Sequence, residues 1–326
     1  MKTGLRFLLT SLATVTIALI WAVEGGAAPV HRTAAVVDHG LVWVDSVAAG
    51  RARAGTLPPG RLVRVTDCAT SGDACLVLAE HGANTRPEPG EATRCDLWLI
   101  SENRPPALVH EDAITAALDP AAKRVALITH DHRLLVGDLL SGSQIRSAGP
   151  AASVAWAPSG SAIAYSRTER LSGHRSLVWL DSESGVERSL TNGEYDDTRP
   201  LFSPDGRWLF FVSGARTGLA SLWRVPVVGG EPVQVTNVGA HDVTPSFTPT
   251  PYMTCVWSPD GRRLAFDFKN DSLQEVWTLT FDRNYDLVRA ERLGDGLYPT
   301  WSDDSHQVTF LRMTGATVAP QKVRLP

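Results

Sequence analysis

Phe202-Ser203-Pro204-Asp205-Gly206, followed at Leu209 and Phe211 by alternating large apolar residues, is the stretch on which the fold turns. A large apolar residue ends one strand, Pro204 sets φ for a turn, and Gly206 tolerates positive φ. Alternation then resumes with period two, so the segment reads as a β-hairpin with a buried face. The same register recurs in Trp257-Ser-Pro-Asp-Gly261 with Leu264 and Phe266, and in Trp156-Ala-Pro-Ser-Gly160 with Ile163 and Tyr165. It recurs again in Trp301-Ser-Asp-Asp-Ser305 with Val308 and Phe310. Two weaker copies keep the spacing: Leu118, Ala122, Val125, Leu127, and Cys68, Gly72, Cys75, Val77. The anchors near 68, 118, 156, 202, 257 and 301 are 38 to 55 residues apart, the repeat length of a four-stranded propeller blade.

Outside each hairpin lies a third strand carrying tryptophan: Leu97-Trp98, Val178-Trp179, Leu222-Trp223 and Val276-Trp277, with Leu135-Val136 as a weaker version. Their equivalent positions predict packing between blades rather than an exposed stacking platform. The copy that starts near Tyr298 lacks such a Trp, whereas Leu41-Val42-Trp43-Val44-Asp45-Ser46 closely matches Leu177-Val178-Trp179-Leu180-Asp181-Ser182. The expected fold is therefore an all-β, six-bladed β-propeller of four-stranded antiparallel blades, in which N-terminal strands within 33–57 complete the C-terminal blade and close the ring. A seven-bladed ring is the alternative. One propeller domain, 33–326, follows residues 1–27.

The Ser-Pro-Asp-Gly hairpins, the Leu-Trp third strands and the segment Asp197-Thr198-Arg199-Pro200-Leu201-Phe202 resemble the WD40-like repeat of TolB-type propellers over essentially the whole mature chain. That resemblance implies a fold far more than an activity, since such propellers include protein-binding modules, substrate-gating domains of peptidases and a few lyases. TolB carries a sizeable α/β domain ahead of its propeller. Only a few tens of residues stand here between the leader and the first hairpin, so the likeness is one of repeats and not of TolB itself. There is also no Gly-x-Ser-x-Gly nucleophile elbow of the kind a fused hydrolase would bring.

Lys2 and Arg6 precede an apolar run from Phe7 to Val23 and the small residues Gly25, Gly26, Ala27 and Ala28, which reads as an export signal cleaved after Ala27. The run is short for a bilayer span, and retention as an uncleaved anchor is the alternative. Export predicts a periplasmic or secreted protein without stable membrane insertion after cleavage. The net charge of −4 supplies no basic face for nucleic acid.

Four cysteines in an exported chain invite a disulfide. Repeat register puts Cys68 where Trp257 stands and Cys75 where Leu264 stands, on opposite arms of one hairpin. A Cys68–Cys75 disulfide is expected, with Cys75–Cys95 as its rival. Cys255 reads as a small buried hydrophobe, because no Cys-x-x-Cys metal spacing exists.

Propeller ligands usually meet the mouths of the central channel, and counting six back from an anchor gives Asp112, Asp196 and Asp295 on alternate blades. If they converge, these carboxylates could hold a divalent cation or a cationic ligand group; otherwise each caps its own turn. Asp197 has the same ambiguity. His241-Asp242-Val243-Thr244-Pro245-Ser246-Phe247 resembles the start of an inner strand, yet the hairpin begins only at Trp257, so about ten residues are inserted on that face. His241, Asp242 and Tyr252 are therefore candidate ligand contacts, or parts of a structural loop. His130-Asp131-His132 falls in a predicted turn, and the charged 167–175 segment reads as a solvated hairpin tip.

Two functions follow. One is a non-catalytic, cofactor-free, monomeric binding module that recognises an envelope protein or peptide on its channel face. The other is a metal-assisted lyase or hydrolase at the channel mouth, built on the Asp ring with His241.

Overall fold

A computed structural model of the chain describes residues 32–37, 40–45, 49–50, 58, 62–68, 74–80, 94–101, 104–139, 141, 144–217, 221–236, 255–270, 273–314 and 317–326. All their regular structure is β-strand, paired antiparallel throughout, and no helix among them is long and apolar enough to cross a membrane. In chain order, β1 (Arg32–Val37), β2 (Gly40–Asp45) and β3 (Ala49–Gly50) form one sheet, and β4 (Leu62–Cys68), β5 (Ala74–Glu80), β6 (Cys95–Ser101) and β7 (Arg104–His110) a second. The next sheet runs β8 (Ala113–Leu118), β9 (Arg124–Thr129), β10 (Arg133–Asp138), β11 (Gln144–Trp156), β12 (Ala162–Thr168), β13 (Arg175–Asp181) and β14 (Glu187–Ser189). Then come β15 (Asp197–Phe202), β16 (Trp208–Ser213), β17 (Ser221–Pro226) and β18 (Val233–Gln234), and after them β19 (Cys255–Trp257), β20 (Arg263–Asn270), β21 (Leu273–Phe281) and β22 (Leu287–Asp295). The last sheet is β23 (Leu297–Trp301), β24 (Gln307–Thr314) and β25 (Thr317–Arg324).

The seven-stranded sheet is two four-stranded units run together. The first half of β11 pairs with β10 as an outer strand, and its second half pairs with β12 as the next unit's inner strand. The chain thus passes from one unit to the next without a loop, and the whole has a propeller-like arrangement.

All six anchor pairs read from the repeat stand directly opposite each other: Cys68 with Cys75, Leu118 with Val125, Trp156 with Ile163, Phe202 with Leu209, Trp257 with Leu264, and Trp301 with Val308. Between the arms the turns repeat atom for atom. The N–H of Gly160, Gly206 or Gly261, each at positive φ, donates to the carbonyl three residues earlier, and Ala122 and Ser305 do the same. The residue after the anchor then accepts from the returning strand, as Ser203 Oγ does from Trp208 N (3.0 Å) and Asp119 Oδ1 from Arg124 N (2.8 Å).

Second strands such as β5 are buried on both faces, since a blade is covered by a neighbour on each side. The apolar clusters accordingly join consecutive units: Leu76 and Leu97 meet Ala116 and Leu127, and Phe210 and Leu222 meet Phe266 and Trp277. The anchor tryptophans also donate indole N–H to the preceding unit, Trp156 to Ala117 O (3.1 Å), Trp257 to Phe202 O (2.9 Å) and Trp301 to Val256 O (3.0 Å). Third-strand tryptophans pack as expected: Trp277 is core, and Trp98, Trp179 and Trp223 lie against the clusters.

One expectation needs correction. The 41–46 segment does not complete the last blade, because β25 supplies the third strand there and β1–β3 form a sheet of their own. The match to the Trp179 strand made 41–46 an outer strand of that blade, but β2 is instead the middle strand of its own sheet, paired with β1 and β3, which are adjacent in sequence. Within that sheet β1 runs alongside both β4 and β23.

Candidate functional site

Inner strands begin on one face, and the tips joining second to third strands lie on the same face. Ser172 Oγ donates to Gly193 O (3.2 Å), and a ring nitrogen of His174 lies 2.8 Å from Glu194 O, which ties the 169–174 tip to the segment leading into β15. The Ser-Pro-Asp-Gly turns occupy the opposite face.

Asp112, Asp196 and Asp295 all reach the strand-start face, and each is engaged by an arginine. Arg94 Nη1 meets Asp112 Oδ2 at 2.8 Å. Arg175 grips Asp196 with two bonds, Nε to Oδ1 (2.6 Å) and Nη2 to Oδ2 (2.5 Å), which holds that carboxyl below its usual range. Arg292 binds Asp295 and also Glu275, the latter at 2.9 Å. Among the described residues no three His, Cys, Asp or Glu side chains gather closely enough to hold a metal. Asp112 is further constrained by φ 63° and accepts nothing at its buried Oδ1.

Asp197 differs from its neighbour in depth. It is fully buried, accepts Arg216 Nε (3.1 Å) and Nη2 (2.8 Å), and holds that guanidinium over the rings of Tyr195, Trp223 and Phe211 at 4.5, 5.3 and 5.7 Å. Such a desolvated, aromatic-lined pair clamps the β15–β17 unit together.

His241, Asp242 and Tyr252 lie outside the described residues. His130-Asp131-His132 forms a turn with His132 at φ 62°, and the Thr129 hydroxyl donates to Asp131 and lowers its pKa. The 167–175 tip is exposed at 170–174, as a solvated tip should be, and it borders an open cleft of about 580 Å³ whose lining includes Pro150, Arg167, Glu169, Arg170, Leu171 and Glu194. Glu169 crosses over Gly193 so closely that a β-carbon there would stand 2.5 Å from its Cγ. Arg170 and Leu171 face solvent. Sequence reading missed the cleft and the arginine partners; the one available signal was an arginine four residues before the third-strand Trp, at Arg94 and Arg175.

The cysteines fall as the repeat register requires. Cys68 and Cys75 are cross-strand partners, and Cys95 sits opposite Glu80 at the far end of the β5–β6 ladder. None of the four cysteines is in a disulfide in the structure.

With this geometry, the chain has the TolB-like β-propeller fold. Solved structures similar to it include the putative TolB of Agrobacterium tumefaciens, 18% identical with a TM-score of 0.55 over 91% of this chain and 99% of that one. TolB of Acinetobacter baumannii is 17% identical with a TM-score of 0.53, over 94% and 79%. Hydrazine synthase of Kuenenia stuttgartiensis is 14% identical with a TM-score of 0.58, over 88% and 90%. No protein-family description matches the chain. Among curated proteins, an uncharacterized protein of Agrobacterium fabrum is 31% identical over 166 residues, 48% of this chain and 53% of that protein. The uncharacterized peptidase YuxL of Bacillus subtilis is 29% identical over 113 residues, 33% of this chain and 16% of that one. The match thus spans about half the length of the first relative and less of the second.

Proposed function

We propose that this chain is an exported, cofactor-free binding propeller that takes an extended peptide segment of an envelope protein on the face where its inner strands begin. The observation that carries this reading is the cleft beside the 167–175 tip. It offers both charge signs and an exposed leucine on a rigid sheet scaffold, which suits a mixed polar and apolar peptide better than a small apolar ligand. TolB-like neighbours agree with a binding module at the level of fold alone. A metal-assisted lyase or hydrolase is disfavoured because Asp112, Asp196 and Asp295 each carry an arginine partner.

The propeller is further proposed to act as a monomer in the periplasm, with its ring closed where the β1–β3 sheet stands beside β4 and β23. Capture from envelope extracts on the immobilised chain tests the binding reading. Wild type and a far-face control, Val228→Asp, are expected to retain the same partner, and the double variant Arg170→Glu, Leu171→Asp to lose it by tenfold or more. Equal capture by all three would overturn the assignment of this face.

A further inference from the structure

The first hairpin departs from the others at the anchor, where each of them carries a large apolar residue. At the anchor, Trp156, Trp257 and Trp301 fill the gap between units and bond the preceding one. In β4 that position is Cys68, and its cross-strand partner is Cys75. Cys75 is fully enclosed among Val77, Ala79 and Ile100, whereas Cys68 is partly exposed. Directly opposed residues hold their β-carbons about 4.5–5.5 Å apart, against about 3.5–4.5 Å in a disulfide, so a small inward shift joins the two sulfurs.

We propose that Cys68 and Cys75 form a redox modification site, oxidised to a disulfide within the hairpin by a thiol–disulfide oxidant of the exported compartment, while Cys95 and Cys255 remain thiols. The compartment follows from the export reading above. The chemistry does not depend on it.

Exposure sets the order of steps. Cys68, the accessible thiol, loses its proton to solvent and attacks the oxidant's disulfide, forming a mixed disulfide and releasing one oxidant thiolate. Cys75 then gives up its proton and attacks Cys68 Sγ, releasing the second oxidant thiolate. Two protein thiols are oxidised by two electrons, one disulfide is reduced to two thiols, and the protons end on the leaving thiolates. The hydrogen bond to Cys68 and burial hold the Cys75 thiol well above its usual range, which keeps it protonated and passive until Cys68 has reacted. Cys95 is excluded by register: Cys75 pairs with Ile100 and Cys95 with Glu80. That separates the two by about 17 Å along the ladder, far beyond a disulfide's reach. Cys255 stands opposite Phe266, and burial together with Asp267 pushes its thiol up to about 12.

The test uses the purified, reduced full chain, incubated natively with glutathione disulfide, then alkylated in denaturant and mapped by mass spectrometry. The peptide carrying both Cys68 and Cys75 is expected to be unalkylated and lighter by two hydrogens, with Cys95 and Cys255 alkylated. Cys75→Ala should accumulate glutathione on Cys68, whereas Cys68→Ala should leave Cys75 unmodified. The oxidised wild type should melt a few degrees higher than the reduced form. Alkylation of both Cys68 and Cys75 after incubation, or a bridge to Cys95, would overturn the proposal. The wild-type map decides this even where a variant fails to fold, and it is independent of partner capture.

Discussion

The Ser-Pro-Asp-Gly turns and the charged corners where the inner strands begin are two ends of the same strands, held by different means. At the turn end, five described turns repeat one local bond set and three anchor tryptophans pass an indole N–H to the preceding unit, so the same residue types recur in register. At the other end each corner has its own solution: an exposed Arg175–Asp196 pair, a buried Asp197–Arg216 pair, and a shared Arg292 between Glu275 and Asp295. Architecture is thus carried by what repeats. Individuality, and with it the cleft, sits where repetition stops.

The sharpest way to break the turn end is Trp301→Ala. Trp301 is 1% exposed, packs with Phe310 and Val308, and bonds Val256 O across units. Its loss is expected to cost about 4 kcal/mol in denaturant unfolding. The corresponding test of the other end is Asp197→Asn, which leaves the Arg216 guanidinium, 12% exposed, without its counter-charge. About 3 kcal/mol is expected there. Its surface neighbour Asp196→Asn, with pair members 37% exposed, should lose under about 1 kcal/mol. Equal losses at positions 196 and 197 would erase the distinction between a clamp and a solvated corner.

That contrast also explains what was legible in the sequence. Phe202 with Leu209 and Trp257 with Leu264 could be paired from spacing alone, because a hairpin's register follows from its turn. Even Cys68 and Cys75, without Trp or a described turn, fell into place by counting. Asp112, Asp196 and Asp295 were read from the spacing as one set, but their partners Arg94, Arg175 and Arg292 were not foreseen. Those contacts join residues 18, 21 and 3 apart, and only the first two start from a shared position, four residues before the third-strand Trp. The β1–β3 sheet was misassigned for a related reason: a strand's pattern reveals its burial but not which edge it joins.

Beside the anchor Cys68 lies Asp67, which links units as the tryptophans do but with a carboxylate. Its Oδ2 accepts Leu118 N (2.7 Å) from the next unit and its Oδ1 accepts Cys68 N (2.8 Å), yet burial pushes its pKa up to about 6. A carboxyl with a raised folded-state pKa stabilises most when protonated. Its contribution is therefore present below the unfolded value near 4 and is lost as pH rises through about 6, a span on the order of 2–3 kcal/mol. Stability of wild type minus Asp67→Asn should fall across that window and be flat above it. A flat difference from pH 4 to 7 would show that the two N–H bonds outweigh burial.

The smallest effect probes the turn itself. Ala122 and Ser305 adopt φ 50° and 61° where Gly160, Gly206 and Gly261 stand in the other turns. An L-residue there is strained by about 1–2 kcal/mol, and glycine relieves this at a cost of about 0.5–1 kcal/mol in unfolded-chain entropy. The Ala122 methyl packs against the neighbouring core, which takes back part of the gain. Ala122→Gly is therefore expected to stabilise by about 0.5 kcal/mol. Ser305→Gly forfeits the bond its Oγ accepts from Asp260 N (3.0 Å), a link between units worth about 1 kcal/mol, so it should be neutral or mildly destabilising. Melting the two variants side by side separates backbone strain from the inter-unit bond. Stabilisation by both would mean that the turn, and not its contact with the next unit, limits this end of the strand.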